Sequence, residues 1–153
     1  MIKQLQSEKG VTLVEVLSII VISTIVTGLM YNIMTSGMDF SYKESSKAVM
    51  QQQSNYILTL WREYHEAGKP YEVILSDDLK LITFVQYEHI NKEKVIKSDL
   101  VQDPRFTYNI NILNGHLNVI DPYKNKVINI RIEIVNMGTG TPSYRMETKL
   151  SRL

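Results

Sequence analysis

The feature that most constrains this chain is an apolar run from Val11 to Met34, broken by the carboxylate of Glu15. As a helix rising about 1.5 Å per residue, the run would measure roughly 36 Å, which is enough to span a bilayer with some tilt. The ten residues before it are polar and carry the positive charges of Lys3 and Lys9. Positive charge favours the cytoplasmic side, so we expect an inside N-terminus and a C-terminal part that faces outward.

Two ordinary explanations of this segment are incomplete. A secretory signal peptide has an apolar core of roughly 7–15 residues followed by a small-residue cleavage site, and this run is longer. A plain signal anchor fits the length and the orientation, but it gives no reason for Glu15. Because an intramembrane carboxylate is costly, it usually marks a functional site with a partner.

The residues at the boundary, KGVTLVEVL, closely resemble the N-terminal signal of the type IV pilin and pseudopilin family. That signal, the class III prepilin signal, is a short basic leader ending in Gly, then an apolar residue, Thr or Ser, Leu, an aliphatic residue and Glu, followed by about twenty apolar residues. The resemblance implies that prepilin peptidase cuts between Gly10 and Val11 and that the new N-terminus is a substrate for N-methylation. It also implies that Glu15 pairs with the N-terminus of a neighbouring subunit during assembly. One departure is Val11, where the family more often has Phe or Met.

The region after Met34 predicts a continuation of the same helix that becomes amphipathic and ends near Gly68. Gly68-Lys69-Pro70 is typical of a helix end. Apolar and aromatic residues recur at a spacing of three, four and seven and predict a buried stripe at Val49, Tyr56, Ile57, Leu60, Trp61 and Tyr64. The opposite face is predicted to comprise Lys47, Gln51, Ser54, Arg62 and Glu66.

The rest of the chain predicts antiparallel strands. Strand-like segments lie at 71–75, 79–89, 105–113, 116–120, 127–135 and 143–150, and the Asn-Gly pair at 114–115 is a strong hairpin signal between the third and fourth. Their one-sided alternation indicates a sheet with one face packed on the helix. We therefore predict an α+β fold: a leader at 1–10, a membrane-spanning helix half at 11–34, an amphipathic half at 35–68 and an antiparallel β-sheet region at 69–153. The pilin architecture has the same order of elements.

Other chemistry finds little support in the sequence. There are no cysteines and the net charge is +1, which excludes disulfides and thiolate catalysis and leaves no strong overall attraction to nucleic acid. Glu63, His65 and Glu66 are expected to form a solvated helix face, and Asp77–Asp78 a turn. We expect no metal, no cofactor and no enzymatic activity.

The basic C-terminal residues are the only candidates for nucleic-acid or partner contact. Arg145, Lys149 and Arg152 could touch phosphates, as a few basic side chains suffice. Because basic and acidic residues nearly balance over the whole chain, at 17 and 16, this expectation is secondary.

Together these patterns favour a minor pilin or pseudopilin that is held in the cell membrane and then assembled into a surface filament. Its expected partners are prepilin peptidase, other pilin subunits, the membrane and the filament assembly platform. A competence filament for DNA uptake is the first expectation, and a type II secretion pseudopilus is the alternative. A signal-anchored extracytoplasmic binding module that never joins a filament remains the alternative from another class.

Overall fold

The computed structural model describes residues 12–113, 119–138 and 143–152. The chain divides into two compact units, Met1–Tyr42 and Lys43–Leu153. Helix α1, Leu13–Glu66, begins in the first unit and ends in the second. Among the described residues it is the one helix long and apolar enough to cross a membrane, by length and composition.

The described part of the first unit is almost entirely the N-terminal part of α1, whose side chains are almost all exposed. Large apolar residues such as Leu17, Ile20 and Leu29 lie on every side of the helix. A helix that is apolar all round suits lipid better than water. Four of its hydroxyl groups donate to the carbonyl one turn earlier, as Thr24 Oγ1 does to Ile20 O at 2.7 Å, so these four need no outside acceptor.

The second unit contains the rest of α1 and two three-stranded antiparallel sheets. The first sheet contains β1 (Tyr71–Leu75), β2 (Leu81–Tyr87) and β3 (Val95–Gln102), in the order β1-β2-β3. The second contains β4 (Phe106–Ile112), β5 (Val127–Asn136) and β6 (Ser143–Ser151), in the order β4-β5-β6. The α+β layout predicted from the sequence is confirmed, with the strands divided between two sheets.

One hydrophobic core joins the helix to both sheets. Trp61 lies at its centre, fully buried, with its ring edge-on to Phe84 at a centroid distance of 5.9 Å. The alternation predicted for β5 is confirmed, because every second residue from Ile128 to Ile134 is buried. The helix contributes Met50, Ile57, Leu60, Trp61 and Tyr64 to the core. Burial of these side chains, each worth roughly 1.5–3 kcal/mol, fixes the C-terminal part of α1 on the sheets.

Three details of the predicted helix are wrong. Tyr56, placed in the buried stripe, is 51% exposed, whereas Ser54, placed on the opposite face, is fully buried. His65, expected on a solvated face, is also buried. The true stripe is thus rotated towards Met50, Ser54 and His65, because both sheets, rather than one, cover the helix.

The strand predictions need one correction. Strand β3 was not predicted at all. The strand predicted at 116–120 lies mostly outside the described residues; of its described part, Ile120 forms an isolated bridge with Tyr71. Asn114 and Gly115 themselves lie outside the described residues.

The end of α1 follows the predicted pattern. Gly68 has φ of 72°, the left-handed conformation that commonly closes a helix and that other residues adopt at a cost. The guanidinium of Arg152 packs directly against it, so that a Cβ atom at residue 68 would lie 2.6 Å from Arg152 Nη1. Both the backbone conformation and the packing therefore require glycine here.

Candidate functional site

The candidate site is the start of α1, where Thr12 and Glu15 form a reciprocal helix cap. The Glu15 carboxylate accepts hydrogen bonds from Thr12 N and from Thr12 Oγ1, each at 3.0 Å. In return, the backbone N–H of Glu15 donates to Thr12 Oγ1 at 3.3 Å. This is a capping box, in which residues three apart satisfy backbone donors that the first helical turn leaves free.

The capping box was visible in the sequence as Thr-x-x-Glu before an apolar run, although it was not predicted. It gives Glu15 a local structural role beside any role in assembly. Oxygen Oε2 receives both hydrogen bonds, so the carboxylate keeps further acceptor capacity. Among the described residues, no basic side chain forms an ion pair with Glu15.

The charge distribution along α1 isolates Glu15. From Val16 to Met38 the sequence has no charged residue, and Asp39 is the next. This stretch of 23 residues would cover about 35 Å as a helix, which matches the thickness of a bilayer core. Glu15 thus lies at one end of an exposed, uncharged segment of membrane length. Gly10 and Val11, at which cleavage is predicted, and the leader residues Lys3 and Lys9 lie outside the described residues.

The basic residues of the C-terminal strand separate into two groups. Arg145, on β6, forms an ion pair with Glu133 on β5 at 2.9 Å. Lys149 and Arg152 instead line an open cleft of about 660 Å³. The structure therefore brings together two of the three predicted contact residues and engages Arg145 elsewhere.

The cleft also contains a cation that was not among the predicted contact residues. Arg62, at the C-terminal end of α1, lines it together with His65 and Glu66. Arg152 is held in place by the Tyr123 ring, whose centroid lies 4.2 Å from its Cζ. Three cations and one carboxylate make the cleft moderately basic. Contact with DNA through Lys149 and Arg152 stays a prediction.

His65 belongs to a buried polar chain that no sequence pattern indicated. Its Nδ1 lies 3.0 Å from Tyr71 Oη, which in turn accepts a 3.1 Å hydrogen bond from Trp61 Nε1. Its Nε2 lies 3.3 Å from the carbonyl oxygen of Lys126. Burial lowers the pKa of His65 from its usual 6.5, and the positive charge of Arg152 lowers it further, against the opposing effects of Lys126 O and Glu66.

Asp77 and Asp78 lie in a turn between β1 and β2, as predicted. Asp78 Oδ1 accepts hydrogen bonds from Ser76 Oγ at 2.6 Å and from Lys80 N at 3.2 Å. These bonds lower the pKa of the Asp78 carboxyl. Within residues 12–113, 119–138 and 143–152, no three His, Cys, Asp or Glu side chains are grouped so as to hold a metal ion.

Comparisons of the whole chain with protein-family models, with curated proteins and with solved structures found no match. Function must therefore be argued from the residues around Glu15 and from the fold that carries them.

Proposed function

We propose that this chain is a structural subunit, a minor pilin or pseudopilin, of a type IV pilus-like filament. In this proposal prepilin peptidase cleaves between Gly10 and Val11, and the mature chain is held in the cell membrane with its C-terminal part outside. An assembly platform then transfers it into a filament with other pilin subunits. A competence filament is the first candidate, with a type II secretion pseudopilus as the alternative. The observation that carries the proposal is a single carboxylate, Glu15, at the start of an exposed, otherwise uncharged helical segment of membrane length.

The energetics of Glu15 support a partner of opposite charge. A carboxylate taken out of water loses several kcal/mol of solvation, and the local cap returns only part of it. The helix N-terminus contributes a further favourable interaction, typically about 0.3–1 kcal/mol in exposed positions. Cleavage after Gly10 would supply an α-amino group on each subunit at a similar depth. Such an amine from a neighbouring subunit would neutralise Glu15 and fix the register between two helices.

One observation favours the other class, a signal-anchored binding module. The Thr12–Glu15 capping box uses Glu15 within its own helix, so the residue has a structural reason to be present without any neighbour. Under this alternative, replacing the charge while keeping the cap would change nothing about the chain's assembly state.

The test therefore separates the cap from the charge. Glutamine at the third helical position still completes a capping box, so Glu15→Gln keeps the cap and removes the charge. Thr12→Ala does the reverse, because it removes the capping hydroxyl and keeps the carboxylate. Glu15→Val removes the charge and the carboxylate half of the cap, while Thr12 Oγ1 can still accept from the backbone N–H of residue 15. Each variant is expressed with the filament machinery, and its amounts in membranes and in sheared filaments are measured.

We expect all three variants to insert into the membrane, with Glu15→Val inserting at least as well as wild type because a costly group is lost. Incorporation into filaments should fall by about tenfold or more for both Glu15 variants, since breaking a desolvated ion pair costs several kcal/mol. Thr12→Ala should remain within about threefold of wild type, because a cap is worth about 1 kcal/mol and only part of that loss would affect assembly. Filament incorporation of Glu15→Gln at the wild-type level would overturn the charge-pairing role.

A further inference from the structure

The two sheets have four outer strand edges, and among the described residues those of β3 and β6 have no backbone hydrogen bonds to a further segment. The outer edge of β1 is engaged by Ile120 through two backbone hydrogen bonds with Tyr71, at 3.0 and 2.7 Å. The β4 edge receives a contact of its own, because Tyr108 N donates to Leu79 O at 2.7 Å. An open edge is a template for pairing with another chain, so native proteins usually protect it.

The exposed face of β6 carries charges, whereas the exposed face of β3 carries none. On β6, charged side chains occupy alternate exposed positions, Arg145, Glu147 and Lys149, and the first two pair with β5. On β3 the charges turn towards the helix instead: Lys97 Nζ contacts Glu63 at 2.7 Å, and Asp99 accepts a hydrogen bond from Tyr64 Oη at 2.9 Å.

The side chains that β3 presents to solvent around Ser98 are apolar or small. Ile96 is 43% exposed, Leu100 is 57% exposed and Ser98 lies exposed between them. The segment from Val95 to Gln102 contains no proline, which would have prevented pairing.

The direction of the β3 backbone groups follows from the register of the first sheet. Hydrogen bonds from Ser76 N to Leu81 O and from Tyr87 N to Pro70 O show that odd-numbered residues of β2 face β1. Even-numbered residues of β2 therefore face β3, where Phe84 is paired with Asp99 and Gln86 with Lys97. Consequently Ser98, Leu100 and Gln102 direct their N–H and C=O groups to the open side of β3.

We propose that β3 pairs with β3 of a second copy of this chain, antiparallel and centred on Ser98. In this register Ser98 lies opposite Ser98, with both backbone groups of each residue bonded across the pair. Leu100 lies opposite Ile96 of the second copy, so each apolar side chain covers the other. Lys97 lies opposite Asp99 of the second copy, at the non-hydrogen-bonded position where facing side chains come closest.

The self-pairing is complementary in charge as well as in hydrogen bonds. Each strand contributes one cation and one anion, Lys97 and Asp99, at positions symmetric about Ser98, so every charge meets its opposite. Within one chain the two side chains already form an ion pair, with Lys97 Nζ 3.0 Å from Asp99 Oδ2, and both keep exposed surface, 41% and 32%, through which they can also contact the second copy. A cleft of about 360 Å³, lined by Tyr56, Leu100 and Gln102, borders the same strand and can receive side chains of the second copy.

This pairing is isologous and closes on itself, so it yields a two-subunit unit and not the repeating contact of a filament. It stands on the β3 edge alone and does not depend on the role of Glu15. The occupant is a second copy because a foreign strand would have no reason to match the symmetric arrangement of Lys97, Ser98 and Asp99.

Disulfide trapping tests the register directly, since the chain has no cysteine. Full-length Ser98→Cys and Gln102→Cys are purified in detergent and exposed to the same mild oxidant. Paired residues at position 98 would have Cα atoms about 5.5 Å apart, within the range of a disulfide. The two residues at position 102 would lie about eight residues apart along the strands, or roughly 27 Å, while sharing the same exposed edge.

We expect Ser98→Cys to form a linked dimer at least about tenfold faster than Gln102→Cys, because disulfides need Cα atoms within about 7 Å. Adding Leu100→Lys to Ser98→Cys should abolish this preference, as a charge then faces Ile96. Fluorescence of Trp61, the only tryptophan, verifies that each variant is folded. Equal trapping at both positions, no trapping at 98, or a linkage only to another protein would overturn the proposal.

Discussion

Acidification below about pH 6.5 is expected to destabilise the second unit through His65, because this side chain is buried in its neutral form. The hydrogen bonds define the neutral tautomer. Lys126 O can only accept, so His65 Nε2 carries the proton and Nδ1 accepts from Tyr71 Oη. Tyr71 Oη in turn accepts from Trp61 Nε1.

Protonation of His65 would disrupt this arrangement of hydrogen bonds. A proton on Nδ1 of His65 turns it into a donor, and Tyr71 Oη would then receive two donors while its own hydrogen loses its acceptor. An unsatisfied buried donor costs roughly 1–3 kcal/mol. The charged groups nearby oppose each other, since Arg152 disfavours and Glu66 favours the imidazolium. Burial has the largest effect, so the pKa of His65 is lowered overall.

The pH dependence of the free energy of unfolding follows from this lowered pKa. Between the unfolded pKa of 6.5 and the lower folded pKa, the unfolded chain holds a proton that the folded chain does not. The free energy of unfolding therefore falls as the pH falls, by at most about 1.4 kcal/mol per pH unit for one group. The stability that neutral His65 contributes is fully present above pH 6.5, and it is lost as the pH falls through the folded pKa.

The assay is urea unfolding of the full-length protein in detergent, followed by Trp61 fluorescence from about pH 8 to pH 5, a range set by the usual histidine pKa. His65→Gln should lower stability at high pH and flatten the profile between these limits. His89→Gln, at an exposed position, should keep the wild-type slope. A loss of stability on acidification as steep for His65→Gln as for wild type would contradict this role of His65.

Two further substitutions test the packing of the second unit, both by urea unfolding. Gly68→Ala should lower the free energy of unfolding by about 1–2 kcal/mol for the left-handed backbone, with a further loss for the clash with Arg152. The total loss should therefore be smaller in an Arg152→Ala background. An equal loss in both backgrounds would contradict the contact. Ser54→Ala should leave stability unchanged or raise it, because the buried Ser54 Oγ has no hydrogen-bond partner. Ser46→Ala should cost about 1 kcal/mol, since Ser46 Oγ accepts from Asn136 Nδ2 at 2.7 Å. If Ser54→Ala were the more destabilising of the two, Ser54 Oγ would have a hydrogen-bond partner after all.

The sequence predicted those parts of the fold whose pattern repeats without exception. In β5 four isoleucines alternate with polar residues, and the structure buries all four. Strand β3 was missed because its pattern is inverted: Lys97 and Asp99 point towards the helix and Leu100 points outward. These half-buried charges have partners on α1, Glu63 and Tyr64, which the sequence of one strand does not reveal.

In the helix and at the candidate site, too, local patterns were predictable from the sequence and contacts between distant elements were not. Spacing of three and four identified Ile57, Leu60 and Trp61 as core, but it could not decide between Tyr56 and the neighbouring Ser54, because that choice depends on the covering sheets. At the N-terminus, Glu15 was identified as unusual from its position alone. Its cap with Thr12 was also readable from the sequence, whereas the cleft that joins Arg62 to Lys149 and Arg152 arises only when α1 and β6 meet.

The most direct test of the proposed function is the N-terminus of the protein purified from membranes that contain prepilin peptidase. Intact-mass and N-terminal analysis should find a chain that begins at Val11, with or without an added methyl group. Gly10→Ala, which removes the residue before the predicted cut, should leave the leader attached. A wild-type chain that still begins at Met1 under these conditions would contradict the filament proposal and favour a signal-anchored module.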